Sequence, residues 1–184
     1  TAKALLDRNP DPTRAQPLLL EAGTGCRPGW LPTFGQEEGV SGSVHALAVF
    51  DDGSGPALYV AGDGSIQYAG GVPVSNIARW DGTSWSALGT GMDGGVYALL
   101  AFDDGGGPAL YAGGLFVTAG GTPASHVARW DGSSWSALGT GTNGSVQALA
   151  VLDEAGSPVL CAGGSFTTAG GAPAMNVATW NGTA

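Results

Sequence analysis

Apolar and polar positions along this chain change over in short runs, each of strand length. From Val44 the stretch Val-His-Ala-Leu-Ala-Val-Phe closes on Asp51-Asp52-Gly53, from Val96 the stretch Val-Tyr-Ala-Leu-Leu-Ala-Phe closes on Asp103-Asp104-Gly105, and from Val146 the stretch Val-Gln-Ala-Leu-Ala-Val-Leu closes on Asp153-Glu154. Apolar runs of this length between turn residues predict strands. In Val146–Leu152 both alternating faces are nearly apolar, so the first strand of each unit is expected to be covered on both sides. A second run follows a turn containing Pro, Val159 to Phe166 in the last copy. It holds Gly163-Gly164, where a neighbouring backbone or ring is expected to come close. Two further runs, His126 to Trp130 and Trp135 to Leu138, flank Asp131-Gly132, a strong hairpin signal because both residues tolerate positive φ.

These four runs recur. Ile77-Ala-Arg-Trp-Asp-Gly-Thr-Ser-Trp-Ser-Ala-Leu-Gly-Thr-Gly91 returns from Val127 to Gly141 and begins again at Val177, a spacing of 50 residues. A repeat of about 50 residues holding four short antiparallel strands describes one blade of a β-propeller. Tyr111-Ala-Gly-Gly114 and Cys161-Ala-Gly-Gly164, followed by the aromatic Trp130 and then Trp135, with Trp80 and Trp85 in the same places one repeat earlier, resemble the kelch repeat. The resemblance spans residues 30–184 and implies an all-β, kelch-like β-propeller with three four-stranded blades, the repeats covering about 44–95, 96–145 and 146–184. It is nearest to the Gly-rich, acidic repeats of bacterial surface or secreted proteins. Trp30-Leu-Pro-Thr-Phe34 sits where a fourth strand sits in later copies, so residues 30–35 are expected to close the last blade. Closed propellers take four to eight blades. Three per chain therefore imply either a homodimer forming a six-bladed ring or a fragment of a larger propeller.

Composition changes little in that picture. The chain has 184 residues, 34 of them Gly, and a net charge of −9. Residues 1–29 hold four of the six basic residues together with four prolines and carry +1, and are set apart as an N-terminal extension; the remainder carries −10. Nucleic acid is excluded as a partner on charge grounds, and no apolar stretch approaches the ~20 residues of a membrane span. The expected location is the cell surface or the extracellular space. Cys26 and Cys161 show no metal or disulfide spacing, and Cys161 stands where Tyr59 and Tyr111 stand in the other copies, so it is expected to be a free structural thiol.

Candidate chemistry is sparse. The tryptophans Trp30, Trp80, Trp85, Trp130, Trp135 and Trp180 are expected to be repeated core aromatics rather than a sugar-stacking platform. Arg79 and Arg129 are expected to cover aromatic faces or pair with loop carboxylates. Propeller topology puts the turns carrying Asp51, Asp52, Asp81, Asp103, Asp104, Asp131, Asp153 and Glu154 on one rim. Asp51, Asp52, Asp103, Asp104, Asp153 and Glu154 are the candidate ligand-binding set, although one or two oxygens per turn suit weak Ca2+ binding at most. On the opposite rim, stretches such as Val117–Ser125 and Thr167–Met175 read as small, flexible loops. His45 and His126 read as satisfied strand histidines, and Asn143 and Asn181 match glycosylation triplets that Asn-Gly turns also produce. No catalytic constellation or resident cofactor is expected. The leading reading is a non-enzymatic interaction or structural module with a protein or glycan partner. A lectin-like propeller using its repeated loops is the alternative, and a fragment of a propeller enzyme whose catalytic residues lie elsewhere is the third.

Overall fold

Because each apolar run is followed by a tight turn, successive runs pair with one another and the sheets are antiparallel throughout. The computed structural model describes residues 39–154, 157–180 and 182. Sheet I is built from β1 (Val44–Asp51), β2 (Pro56–Gly62), β5 (Ile77–Trp80) and β6 (Trp85–Ala87), in the order β1-β2-β5-β6, while β3 (Tyr68–Ala69) and β4 (Val72–Pro73) form a separate small hairpin. Sheet II repeats this with β7 (Val96–Asp103), β8 (Pro108–Gly114), β11 (Val127–Trp130) and β12 (Trp135–Ala137), and the hairpin β9 (Thr118–Ala119)/β10 (Thr122–Pro123). Sheet III has three strands, β13 (Val146–Glu154), β14 (Ser157–Gly164) and β17 (Val177–Trp180), with the hairpin β15 (Thr168–Ala169)/β16 (Ala172–Pro173). No helix occurs among the described residues.

Register is the same in each sheet. Asp51 pairs with Pro56 and Asp103 with Pro108, closing the acidic turns, and each first strand carries an irregularity after its opening valine, at Val44, Val96 and Val146. The glycine pair has the expected use. A Cβ on Gly114 would collide with the Gly95 carbonyl, and one on Gly113 would stand 2.5 Å from Val146 Cγ1.

The sheets stack face to face by one repeated contact. The face of sheet I that carries Ala46, Phe50, Tyr59 and Ile77 packs on Leu110, Ala112, Trp130 and Trp135 of sheet II. The other face of sheet II, with Phe102, Tyr111 and Val127, packs on Leu149, Leu160, Ala162 and Trp180 of sheet III. Stacking explains where burial departs from expectation. Among the described residues only β7 of the three first strands has a neighbouring sheet on both sides, and Leu99 and Leu100, on its opposite faces, are both partly buried. β1 instead leaves Leu47 60% and Val49 66% exposed, and β13 leaves Val151 and Leu152 exposed, so the first strand is not covered on both sides in every copy.

Two other expectations need correction. The stretches after each glycine pair are not loose loops: they fold back as the two-residue hairpins, bury Ala119 and Ala124, and bridge to the preceding connection through Met92–Ala119 and Thr142–Ala169. His126 lies just before β11 at φ 67, the left-handed conformation that Asn76 and Asn176 adopt at the equivalent positions. The expected closing strand 30–35, Cys26 and the N-terminal extension lie outside the described residues.

Candidate functional site

The acidic turns are built by their own side chains. Asp51 Oδ1 accepts the amides of Gly53 (2.9 Å) and Gly55 (3.0 Å), and Asp103 Oδ1 accepts those of Gly105 (2.9 Å) and Gly107 (3.0 Å). Asp81 accepts the amides of Thr83 and Ser84, and Asp131 those of Ser133 and Ser134, all at 2.8 Å. Those backbone bonds, with the hydroxyls beside them, hold both carboxyls far below the usual carboxylate range.

Asp52 and Asp104 play a different part, because they reach inward. Asp52 pairs with Arg79 (Nε–Oδ2 2.9 Å) and accepts the Tyr59 hydroxyl at 3.0 Å, the two ionic side chains being largely buried. Burial would raise the Asp52 pKa, but hydrogen bonds from Ser54 and Tyr59 and the Arg79 charge outweigh it, and the net shift is downward. Burial pushes Tyr59 up to about 12; the Arg79 contact opposes the rise and Asp52 adds to it. In sheet II, Asp104 and Arg129 border the buried Tyr111, and Trp180 of sheet III helps to hold the Asp104 carboxylate ionised against the cost of its burial. Arg129 also donates to the Gly107 carbonyl at 3.1 Å. Both networks lie on the face that meets the next sheet.

The two kinds of turn meet between neighbouring sheets. A Cβ on Gly132 would sit 2.9 Å from the Asp52 carbonyl oxygen, and one on Gly182 equally close to that of Asp104. Asp51, Asp52, Asp103 and Asp104 are thus brought to one side, but their oxygens are spent on turns and on arginine. Asp153 ends β13 with Glu154; the Glu154 side chain lies outside the described set. Among the described residues no group of three or more His, Cys, Asp and Glu side chains converges as a metal site would require.

Other candidates resolve into packing and turn roles. Trp80 and Trp85 stand 5.3 Å apart at 48°, and Trp130 and Trp135 5.3 Å apart at 47°, all within the apolar clusters. Asn143 Oδ1 accepts the amides of Thr167 (2.8 Å) and Thr168 (2.9 Å), the role Asp93 has one repeat earlier, while Asn181 lies outside the described residues. Cys161 is free and half-buried on β14. Neither histidine fits its expectation fully. His126 Nδ1 is buried without a hydrogen-bond partner, and His45 Nε2 lies 3.8 Å from Asp63 Oδ2, a carboxylate that sequence spacing did not connect to it. The Tyr59 and Tyr111 networks were also not anticipated. One signal marks them: Tyr and Arg vanish together in the third copy, as Cys161 and Thr179.

Between sheets II and III lies an apolar cavity of about 300 Å3, lined by Leu138, Leu160, Ala169, Gly170, Ala178 and Trp180 among others. No protein-family model matches this chain, and no curated protein or solved structure is significantly similar to it.

Proposed function

We propose that the chain is a kelch-like β-propeller module of three blades with a non-enzymatic role in binding or assembly, either as half of a six-bladed ring or as part of a larger propeller. The repeated sheet-to-sheet contact carries this reading. Phe50 and Tyr59 meet the next sheet as Phe102 and Tyr111 do, and Leu110 and Trp130 meet the previous one as Leu160 and Trp180 do. A head-to-tail contact applied again and again generates a ring when the rotation closes.

The rim chemistry supports a binding role without catalysis. Carboxylates that already accept amide and guanidinium hydrogens have few lone pairs left for calcium, which seeks six to eight oxygens, and the reading includes no resident cofactor. Electron-microscopy class averages of the purified chain test the architecture: blades around an axis are expected, and a two-layer sandwich or an open rod overturns it. A glycan array tests the role. Binding that grows with the density of the displayed sugar would replace this reading by a lectin-like one.

A further inference from the structure

The copies of the repeat agree at one end of the sheets and differ at the other. Register sets the acidic turn, where Asp51 pairs with Pro56, at one end of β1 and β2, and the pair Val44–Gly62 at the opposite end. At the acidic end the first two copies read Asp51-Asp-Gly-Ser-Gly-Pro56 and Asp103-Asp-Gly-Gly-Gly-Pro108, which differ in a single residue. At the opposite end the second residue of the first strand is His45, Tyr97 and Gln147 in turn. The positions held there by Ser65 and Gln67 become Leu115 and Val117 in the second copy, then Ser165 and Thr167 in the third. The first copy also inserts Asp63-Gly64 between Gly62 and Ser65. The frame on either side of the insertion is unchanged, since the Ile66 and Phe116 carbonyls accept the amides of Asn76 and His126 at 2.9 and 3.0 Å. A fixed frame with varied exposed side chains is the usual construction of a recognition surface.

The variations of the first two copies meet around residues 93–95, which lead into sheet II. A Cβ on Gly95 would stand 2.8 Å from the Asp63 carbonyl oxygen and 3.1 Å from Tyr97 Cε1, and one on Gly94 2.7 Å from the Leu115 carbonyl oxygen. Asp93 Oδ1 accepts the Val117 amide at 2.8 Å. The His45 and Tyr97 rings lie 5.8 Å apart, tilted by 54°. Asp63 Oδ1 accepts the Ser65 amide at 3.1 Å and the Ser65 hydroxyl, and these bonds hold its pKa below the ordinary carboxylate value. Its Oδ2 faces His45 Nε2 at 3.8 Å, beyond hydrogen-bond reach. Among the described residues the only Lys or Arg side chains are Arg79 and Arg129, and both serve the acidic end, through Asp52 and the Gly107 carbonyl. Asp63 is therefore an oriented carboxylate that neither of them neutralises. Beside it Leu115 and Val117 are 55% and 54% exposed, although sheet II has a neighbouring sheet on each face. Their exposure is not that of an uncovered sheet face.

We propose that this end of the junction between sheets I and II docks a partner protein through an arginine flanked by apolar residues, the guanidinium meeting Asp63 Oδ2 beside the Tyr97 ring and the apolar neighbours covering Leu115 and Val117. Arginine suits the pair of acceptors, because its planar cation bonds a carboxylate and lies against an aromatic ring at the same time. A glycan suits them less, since leucine and valine offer its hydroxyls no hydrogen bond. The proposal rests on the binding role proposed above and gives that role a surface and a partner chemistry, away from the acidic turns.

An NMR titration of the full chain with a leucine-arginine-leucine tripeptide blocked at both ends tests it, the same peptide with glutamate in place of arginine being the control. The amides of Gly64, Gly95, Tyr97 and Leu115 are expected to shift with the arginine peptide only, and those of Gly53 and Gly105 in the acidic turns to stay in place. Asp63→Asn keeps the oxygen that accepts from Ser65 and is expected to weaken binding about three- to fivefold, the range of an exposed ion pair; high salt acts in the same direction. Tyr97→Gln and Leu115→Ser introduce the residues that the third copy holds at the same positions, so the frame tolerates them, and each is expected to weaken binding while the remaining spectrum is unchanged. Shifts confined to the acidic turns, an equal response to the glutamate peptide, or an affinity indifferent to Asp63→Asn overturns the proposal. A methyl pyranoside that moves these amides when the arginine peptide does not overturns the partner chemistry and keeps a binding role. Silence towards both removes this surface, while electron-microscopy images still decide the architecture by themselves.

Discussion

Trp135→Ala strikes the contact that joins sheets I and II. Trp135 is 6% exposed, lies against Gly120, and is clustered with Leu88 of one sheet and Leu110 and Trp130 of the other. Truncating a buried tryptophan costs about 3–5 kcal/mol through lost transfer energy and the cavity left behind. The indole also satisfies the Leu88 carbonyl at 3.3 Å, and losing such a bond adds about 1 kcal/mol. The expected total, about 4–6 kcal/mol, is a large part of the 5–15 kcal/mol that holds an ordinary domain together. Trp85→Ala is measured beside it, Trp85 being clustered with Val60, Ile66 and Val74 of sheet I and its hairpin. Equilibrium urea unfolding followed by far-UV circular dichroism measures both. A Trp135→Ala loss below about 1 kcal/mol would refute the claim that the stacking contact is the main source of cohesion.

Three further outcomes are expected. His126→Asn should raise the unfolding free energy by about 1 kcal/mol, since asparagine tolerates the left-handed backbone better; a neutral or lower thermal midpoint contradicts this. Asp131→Ala should cost on the order of 1 kcal/mol in the same unfolding assay, whereas Asp131→Asn, which keeps the amide-accepting oxygen, should cost much less; equal losses would mean that charge and not the turn is what counts. Stability should form a plateau across neutral pH. Asp52, Asp81 and Asp131 have lowered folded pKa values, so their contribution is full above the ordinary carboxylate range and is lost as pH falls through the lower folded values. Tyr59, raised to about 12, contributes fully below the ordinary tyrosine value and loses that contribution as pH rises from about 10 to 12. A thermal midpoint that climbs on acidification from pH 5 to 3 would contradict this assignment.

Local chemistry was readable from the chain and contacts between sheets were not. Asp131-Gly132 and the Asp51 and Asp103 turns announce themselves because each aspartate bonds its own backbone within a few residues. The glycine pair at Gly113-Gly114 is equally explicit, since only glycine admits the Gly95 carbonyl. Burial of the first strand was misjudged because an apolar composition records the environment of β7, which has two neighbouring sheets, while β1 and β13 carry nearly the same sequence with one neighbouring sheet among the described residues. The Asp52–Arg79–Tyr59 network unites a turn and two strands separated by up to 27 positions, and the His45–Asp63 pair likewise spans two elements. Neither has a local spacing to betray it.

The third copy departs from the other two on the side that meets no further described sheet. Phe102, Tyr111 and Arg129 become Leu152, Cys161 and Thr179, so sheet III lacks the tyrosine and the arginine that sheets I and II carry on this face, while Glu154 stands in the place of Asp104. A buried ion pair stripped of one partner costs more than no ion pair at all. The changes leave a surface without tyrosine or arginine, on which Val177 is 64% and Leu152 47% exposed. The junction made there has less to hold it than the junctions inside the chain.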